Sequence, residues 1–140
     1  MWIDAKGSTV LPTPECRRLL ATGARDVGVG RLGLATEQAP VIIPVNFTIL
    51  ERQILVRVGK GFFSEAAAGR LVAFEVDHVD PVAGIAWSVL ARGLATLIES
   101  PTEIELAVAP YPFVPEPGDM MLVVRPDVLT GRRFETHRAL

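Results

Sequence analysis

The chain has 140 residues, 49% hydrophobic and 21% charged, with 14 Lys and Arg against 16 Asp and Glu. That length suits one globular domain that buries about two thirds of its unfolded surface without disulfides or a structural metal. A formal charge of -2 leaves no basic excess for a run of phosphates, which argues against a nucleic-acid binder, and Pro44, Ser88 and Arg92 cut the apolar stretches short of the roughly 18 residues of a membrane span.

The N-terminal MWIDAKGSTVLP has no apolar signal-peptide region, and Cys16 is the single cysteine. Both lead us to expect a cytoplasmic protein without a membrane partner, with Cys16 as a small buried helix residue. Thr13-Pro14-Glu15 supplies an N-cap, a first-turn proline and an acid, and Cys16, Leu19 and Leu20 recur at helical spacing, predicting a helix over about 13–23 stopped by Gly23. The period then changes. Val27 to Leu34, Val41 to Ile49, Ile54 to Val58, Leu71 to Val76 and Ile85 to Ile98 read as strands, and Met120 to Arg125 as a sixth. Ser64 can cap a short Ala-rich helix closed by Gly69. Ser100-Pro101-Thr102-Glu103 has capping-box spacing for a helix carrying Ile104, Ala107 and Val108, which Pro110 and Pro112 end, and Tyr111 to Gly118 reads as a rigid loop.

Six strands with few short helices exclude a doubly wound parallel sheet. We expect a mainly β protein, a single domain over 1–140 whose six-stranded antiparallel barrel spans about 27–134. The 14-residue run Ile85 to Ile98 should turn a barrel corner, with a kink or bulge at Gly93. GVGRLG at 28–33 matches GxGxxG in form, but no helix opens after Gly33, so its glycines are read as sites of tight strand curvature rather than a dinucleotide loop.

Catalytic motifs are sparse. His78 and His137 are the only histidines, neither HExxH nor paired CxxC occurs, and no GxSxG elbow is present. No metal site and no catalytic residue are assigned. In FEVDHVD, alternation puts Glu75 and Asp77 on one face, and Asp80-Pro81 begins a turn, so the acids read as a solvated strand end. Arg57-Val58-Gly59-Lys60-Gly61-Phe62-Phe63-Ser64 leads from a strand end through a glycine-flanked lysine into a helix start, the composition of a cradle for one phosphate or of an ordinary glycine turn. Trp87 stands mid-strand beside Ser88, with Arg92 on the Ser88 face, either as core or as a contact for a planar ring.

Taken in order, PVIIPVNF, LVRVGKGFFSEAAAGRLVAFEVD, WSVLARGLAT and VVRPDVLTGRRF resemble the actinobacterial branch of the pyridoxamine 5'-phosphate oxidase-like, FMN-binding split-barrel family. The resemblance implies a six-stranded split barrel, a homodimer and a flavin at the subunit interface, usually FMN and in some branches the deazaflavin F420. It implies that Pro44 and Asn46 line the flavin ring, that Arg57 and Val58 flank ring and ribityl chain, and that Gly59 to Ser64, with Lys60 and Phe63, form the phosphate turn. Trp87 and Ser88 match the strand that meets the cofactor, and Arg132 and Arg133 match the family's GRR. Where relatives commonly carry Thr and Lys for the phosphate, this chain has Val58 and Phe63, which leaves FMN, F420 or no cofactor open. The reading is a flavin- or deazaflavin-dependent oxidoreductase acting on a small molecule. The alternatives are a dimeric, non-enzymatic ligand-binding module with a degenerate phosphate site, haem with His78 or His137 among its ligands, and a purely structural interaction domain in which Trp87 anchors the interface.

Overall fold

The computed structural model describes residues 2–3, 8–26, 28–59, 61–103 and 120–135. The capping-box helix and the proline-rich loop expected over 104–119 lie outside them, as do Lys60, His137 and the side chain of Phe63.

Among the described residues, nine strands form one curled antiparallel sheet: β1 (Trp2–Ile3), β2 (Ser8–Val10), β3 (Val29–Leu34), β4 (Val41–Asn46), β5 (Thr48–Leu50), β6 (Gln53–Val58), β7 (Leu71–Asp80), β8 (Ile85–Ile98) and β9 (Met120–Glu135). Helix α1 (Thr13–Asp26) packs against β5, β7, β8 and β9, and α2 (Phe62–Ala67) follows β6. The mainly β barrel expected from the sequence is present: β3, β4, β6, β7, β8 and β9 form its wall, and among the described residues three short strands, β1, β2 and β5, add to the sheet. Two short N-terminal strands join the sheet, a bend at Phe47 divides one expected strand into β4 and β5, and β9 runs ten residues past Arg125 to Glu135.

The wall follows the order β9-β8-β7-β3-β4, with β6 paired to β9 on its other edge. One row of cross-strand partners runs Ser88, Asp77, then by extension of register Val29, then Asn46 and, by extension of the β5–β6 hairpin, Arg57, then Met121 and back to β8 at Ile98. The circuit returns ten residues from its start, so the six wall strands tilt steeply around a narrow interior.

That interior holds Leu32, Phe47, Ile54, Phe74, Val89, Leu122 and Val124, all at most 1% exposed. Phe47 and Phe74 meet edge to face at 4.8 Å. Small residues make room. A Cβ on Gly30 would stand 2.2 Å from the Phe74 ring, and one on Gly93 only 1.9 Å from the Arg125 carbonyl oxygen. Gly93 faces Pro126 while Arg92 faces Val128, so the expected irregularity is a bulge that leaves Asp127 as the extra residue on β9.

Helix α1 seals one end of the barrel with Cys16, Leu19 and Leu20, each leucine worth about 1.5–3 kcal/mol of burial. Gly23, expected to stop this helix, lies inside it instead. The helix continues to Asp26 because Gly23 is the point of close approach to Val76 and Trp87, where a Cβ would meet a Val76 methyl at 3.0 Å. Ser64 is also corrected: it lies within α2 rather than capping it. Gly61 holds the N-cap position, and the buried Ser64 hydroxyl donates back to the Gly61 carbonyl at 3.1 Å.

Candidate functional site

The bend at Phe47 opens the wall. β5 pairs with β6 as far as Thr48–Leu55, after which β4 leaves β6 and pairs with β3. Gly28 pins the departure. Its φ of 64° turns its carbonyl to accept from the Phe47 backbone N–H at 2.9 Å and from Asn46 Nδ2 at 3.2 Å. The result is a split, with Pro44 and Asn46 on the β4 lip and Arg57 and Gly59 on the β6 lip, immediately before α2.

Alternation decides which side each lip residue takes. Val45 and Phe47 point inward, so Pro44 and Asn46 lie on the outer face. Ile54, Val56 and Val58 belong to the main core, so Arg57 shares the outer face with Leu55, which joins Met121, Val123 and Ile98 in a second apolar cluster. Arg57 is half-buried and already engaged in an interaction. Val58 is 5% exposed with its side chain in the core, so position 58 offers the split only its backbone.

A polar row adjoins the β4 lip. Arg31, opposite Pro44, reaches across to Glu75 Oε1 at 3.4 Å and Asp77 Oδ1 at 3.5 Å. The sequence placed both acids on one face, and they are; what it read as mere solvation is a three-member network. Burial pushes the Glu75 carboxyl up to about 7, and hydrogen bonding to and charge on Asp77 add to this while Arg31 opposes it. The signal in the sequence was the Glu-x-Asp spacing; its Arg partner, 44 residues upstream of Glu75, carried none. Asp80 opens its turn as expected, its Oδ1 accepting from the Val82 and Ala83 N–H groups at 3.1 and 3.0 Å. Among the described residues no group of three or more His, Cys, Asp or Glu could hold a metal ion.

The family model described as pyridoxamine 5'-phosphate oxidase matches residues 12–133, from the start of α1 nearly to the end of β9. The chain belongs to this family. The uncharacterized protein Rv0080 of Mycobacterium tuberculosis is 32% identical over 138 residues, which cover 94% of this chain and 88% of that one. A FAD-binding protein from Mycobacterium smegmatis is 32% identical, with a TM-score of 0.72 over 91% of this chain and 98% of its own. A Corynebacterium glutamicum protein bearing the pyridoxamine 5'-phosphate oxidase name superposes with a TM-score of 0.74 at 26% identity, covering 94% and 96% of the two chains. Of these three, the Mycobacterium smegmatis protein is the one whose name states that it binds a flavin, FAD.

Within this family member, the residues expected to meet one cofactor are divided. Pro44, Asn46 and Arg57 flank the split, whereas Trp87 and Ser88 stand three strand steps from Asn46, roughly 14 Å around a convex wall. The two neighbours also face opposite ways. Trp87 points inward onto the core and α1, with the His78 ring 6.3 Å from its own, while Ser88 points outward beside Asp77 and Arg132. Arg132 Nη1 donates to the buried Ser8 hydroxyl at 2.8 Å, tying β9 to β2, and Arg133 lies 3.5 Å from Glu135.

Proposed function

We propose that this chain is a flavin-dependent oxidoreductase acting on a small molecule in the cytoplasm, and that it holds its flavin at the split between β4 and β6. The reading rests above all on the 32% identity to a FAD-binding protein that matches this fold over nearly its whole length. The donor set at the split suits such a group: Arg57 supplies a guanidinium for an anionic tail, Asn46 a carbonyl oxygen for a ring N–H, and Gly61 a position where a Cβ would meet nothing within 4 Å. When bound, a flavin itself carries out hydride or electron transfer, so the protein need only bind, orient and shield it. That role needs no triad or metal cluster.

The dimer is part of the proposal. The outer face carries Ile42 and Leu71, each 72% exposed, Val79 at 64%, and also Leu94 and Val128, more large apolar side chains than a solvated sheet face normally shows. A two-fold copy seated there would cover them and carry its Ser88 and Arg132 toward the Asn46–Arg57 lips, joining the two halves that one chain keeps apart. A dimeric module that binds the ligand without turnover is the second reading, favoured by the inward-facing Val58, which offers no hydroxyl for a phosphate.

Separate titrations with FMN, FAD and F420, followed by quenching of the cofactor's fluorescence, test the assignment. We expect saturable binding of one of them, at least tenfold weaker in Arg57→Ala, and a dimer by sedimentation equilibrium that Leu71→Glu dissociates. Oxidation of the reduced, loaded protein by an acceptor separates enzyme from module. A folded protein that binds none of the three overturns the proposal.

A further inference from the structure

The wall has a second opening. On the edge of β9 that faces away from β8, β6 pairs only with Met120–Val124 and β2 only with Arg132–Phe134. Between these ladders lies a cleft of about 760 Å³, bounded by the bulged β9 segment, the β5–β6 turn and the first turns of α1. It lies at the Gln53 end of β6, five residue steps or roughly 17 Å from the split at Val58, so it is not the proposed flavin site.

Three features of this cleft go together. First, three of its cations make no ion pair among the described residues. Arg18 is taken up by Glu15 within α1, but among the described residues no carboxylate lies within ion-pair distance of Arg17, Arg52 or Arg125. Second, one of these cations is braced by a neutral group. With its amide oxygen turned toward Arg125, Gln53 accepts from Nη2 and Nε at 3.0 and 3.1 Å, which fixes the guanidinium without cancelling its charge. Third, the turn that carries Arg52 is costly. Leu50 pairs with Gln53 across a two-residue turn in which Glu51 and Arg52 adopt φ of 50° and 66°, a conformation that favours Asn-Gly. Bulky L residues there are strained, and strain of this kind gathers at binding sites.

We propose that the cleft binds a small organic oxyanion, a phosphate monoester or a dicarboxylate, through the guanidinium groups of Arg17, Arg52 and Arg125. Forked guanidinium donors match the paired oxygens of both groups, and the volume admits a molecule of metabolite size. Glu51 and Asp127, also on the lining, suit hydroxyl or amino substituents on the rest of the ligand.

The test uses inorganic phosphate and succinate as probes at ionic strength held constant with chloride, read by backbone amide shifts and by calorimetry. We expect saturable binding of at least one probe, with shifts confined to α1, 51–53 and 125–129, and the two titrations show which oxyanion is preferred. Arg17→Ala and Arg125→Gln should each weaken binding at least tenfold. Glu51→Asn/Arg52→Gly should do the same while raising Tm by about 5 °C, because it removes both strained side chains; a folded, more stable protein with a weaker site is a combination that general damage does not produce. Equal binding by that variant and the parent, or no saturable shift with either probe, would overturn the proposal.

Discussion

The three glycines at 28, 30 and 33 look alike in the sequence, yet the structure gives each a different reason to be glycine and hence a different cost for Ala. A Cβ on Gly30 would lie 2.2 Å from Cζ and 2.6 Å from Cε2 of Phe74, and 3.0 Å from the Glu75 carbonyl oxygen. Relief requires the ring to move by more than 1 Å, but Phe74 is fully buried and edge-on to Phe47. Overpacking of this kind costs about 2–3 kcal/mol, against a gain of about 0.5 kcal/mol from stiffening the unfolded chain. Gly30→Ala should therefore lose about 2 kcal/mol, or about 6 °C in Tm. Gly33 has nothing nearer than the Ala73 Cβ at 3.5 Å and no positive φ, so Gly33→Ala should be neutral or more stable by about 0.5 kcal/mol. Gly28→Ala should lose about 1 kcal/mol through its φ of 64° alone. Urea unfolding of the three variants and of Gly30→Ala/Phe74→Leu settles the matter, since the smaller side chain should recover part of the Gly30→Ala loss. Equal stability of Gly30→Ala and Gly33→Ala would refute the steric argument.

Two further outcomes concern titration. Glu75 binds its proton more tightly folded than unfolded, so its contribution to stability is full below its ordinary pKa of 4.5 and is lost as pH rises through about 7. Glu75→Gln should match the parent near pH 4.5 and exceed it at pH 8, by on the order of 1 kcal/mol after solvent screening is allowed for; urea midpoints across that range check the sign. Cys16 is fully buried, and desolvation pushes its thiol up, so it should resist a thiol reagent in the native state and react fully in denaturant, with rapid native labelling as the contrary result.

Local chemistry made parts of this fold legible. Thr13-Pro14-Glu15 starts α1 where the sequence indicated, and the bulge stands at Gly93 because only a residue without a side chain fits against the Arg125 carbonyl. What escaped depends on distant partners. The bend at Phe47 is made by the Gly28 carbonyl, β2 forms by pairing with residues 132–134 and β1 by pairing with β2, and Gly23 extends its helix because Val76 and Trp87 pack over it. The same holds for the site. Motif order brought Pro44, Asn46 and Arg57 to one opening, but it carried no information on which neighbour in Trp87-Ser88 faces outward. That choice belongs to the whole wall: Trp87 lies on the side of Val89 and Ala91, and these fill the interior.

The oxyanion cleft follows from the geometry of that wall. A ten-residue offset over six strands demands steep tilt, and steep tilt demands long strands, of which β9 with 16 residues is the longest. β6 covers five of its residues on one edge and β2 three, so a stretch of that edge has no ladder partner whatever its side chains are. The opening is thus a product of topology, and its existence says little about function. Its lining is another matter, because topology does not require Glu51 and Arg52 at a turn that prefers Asn-Gly, or three arginines that pair with no carboxylate among the described residues. Variants that alter this charge while leaving the opening in place therefore probe function, whereas variants that fill it would mainly report how the barrel closes.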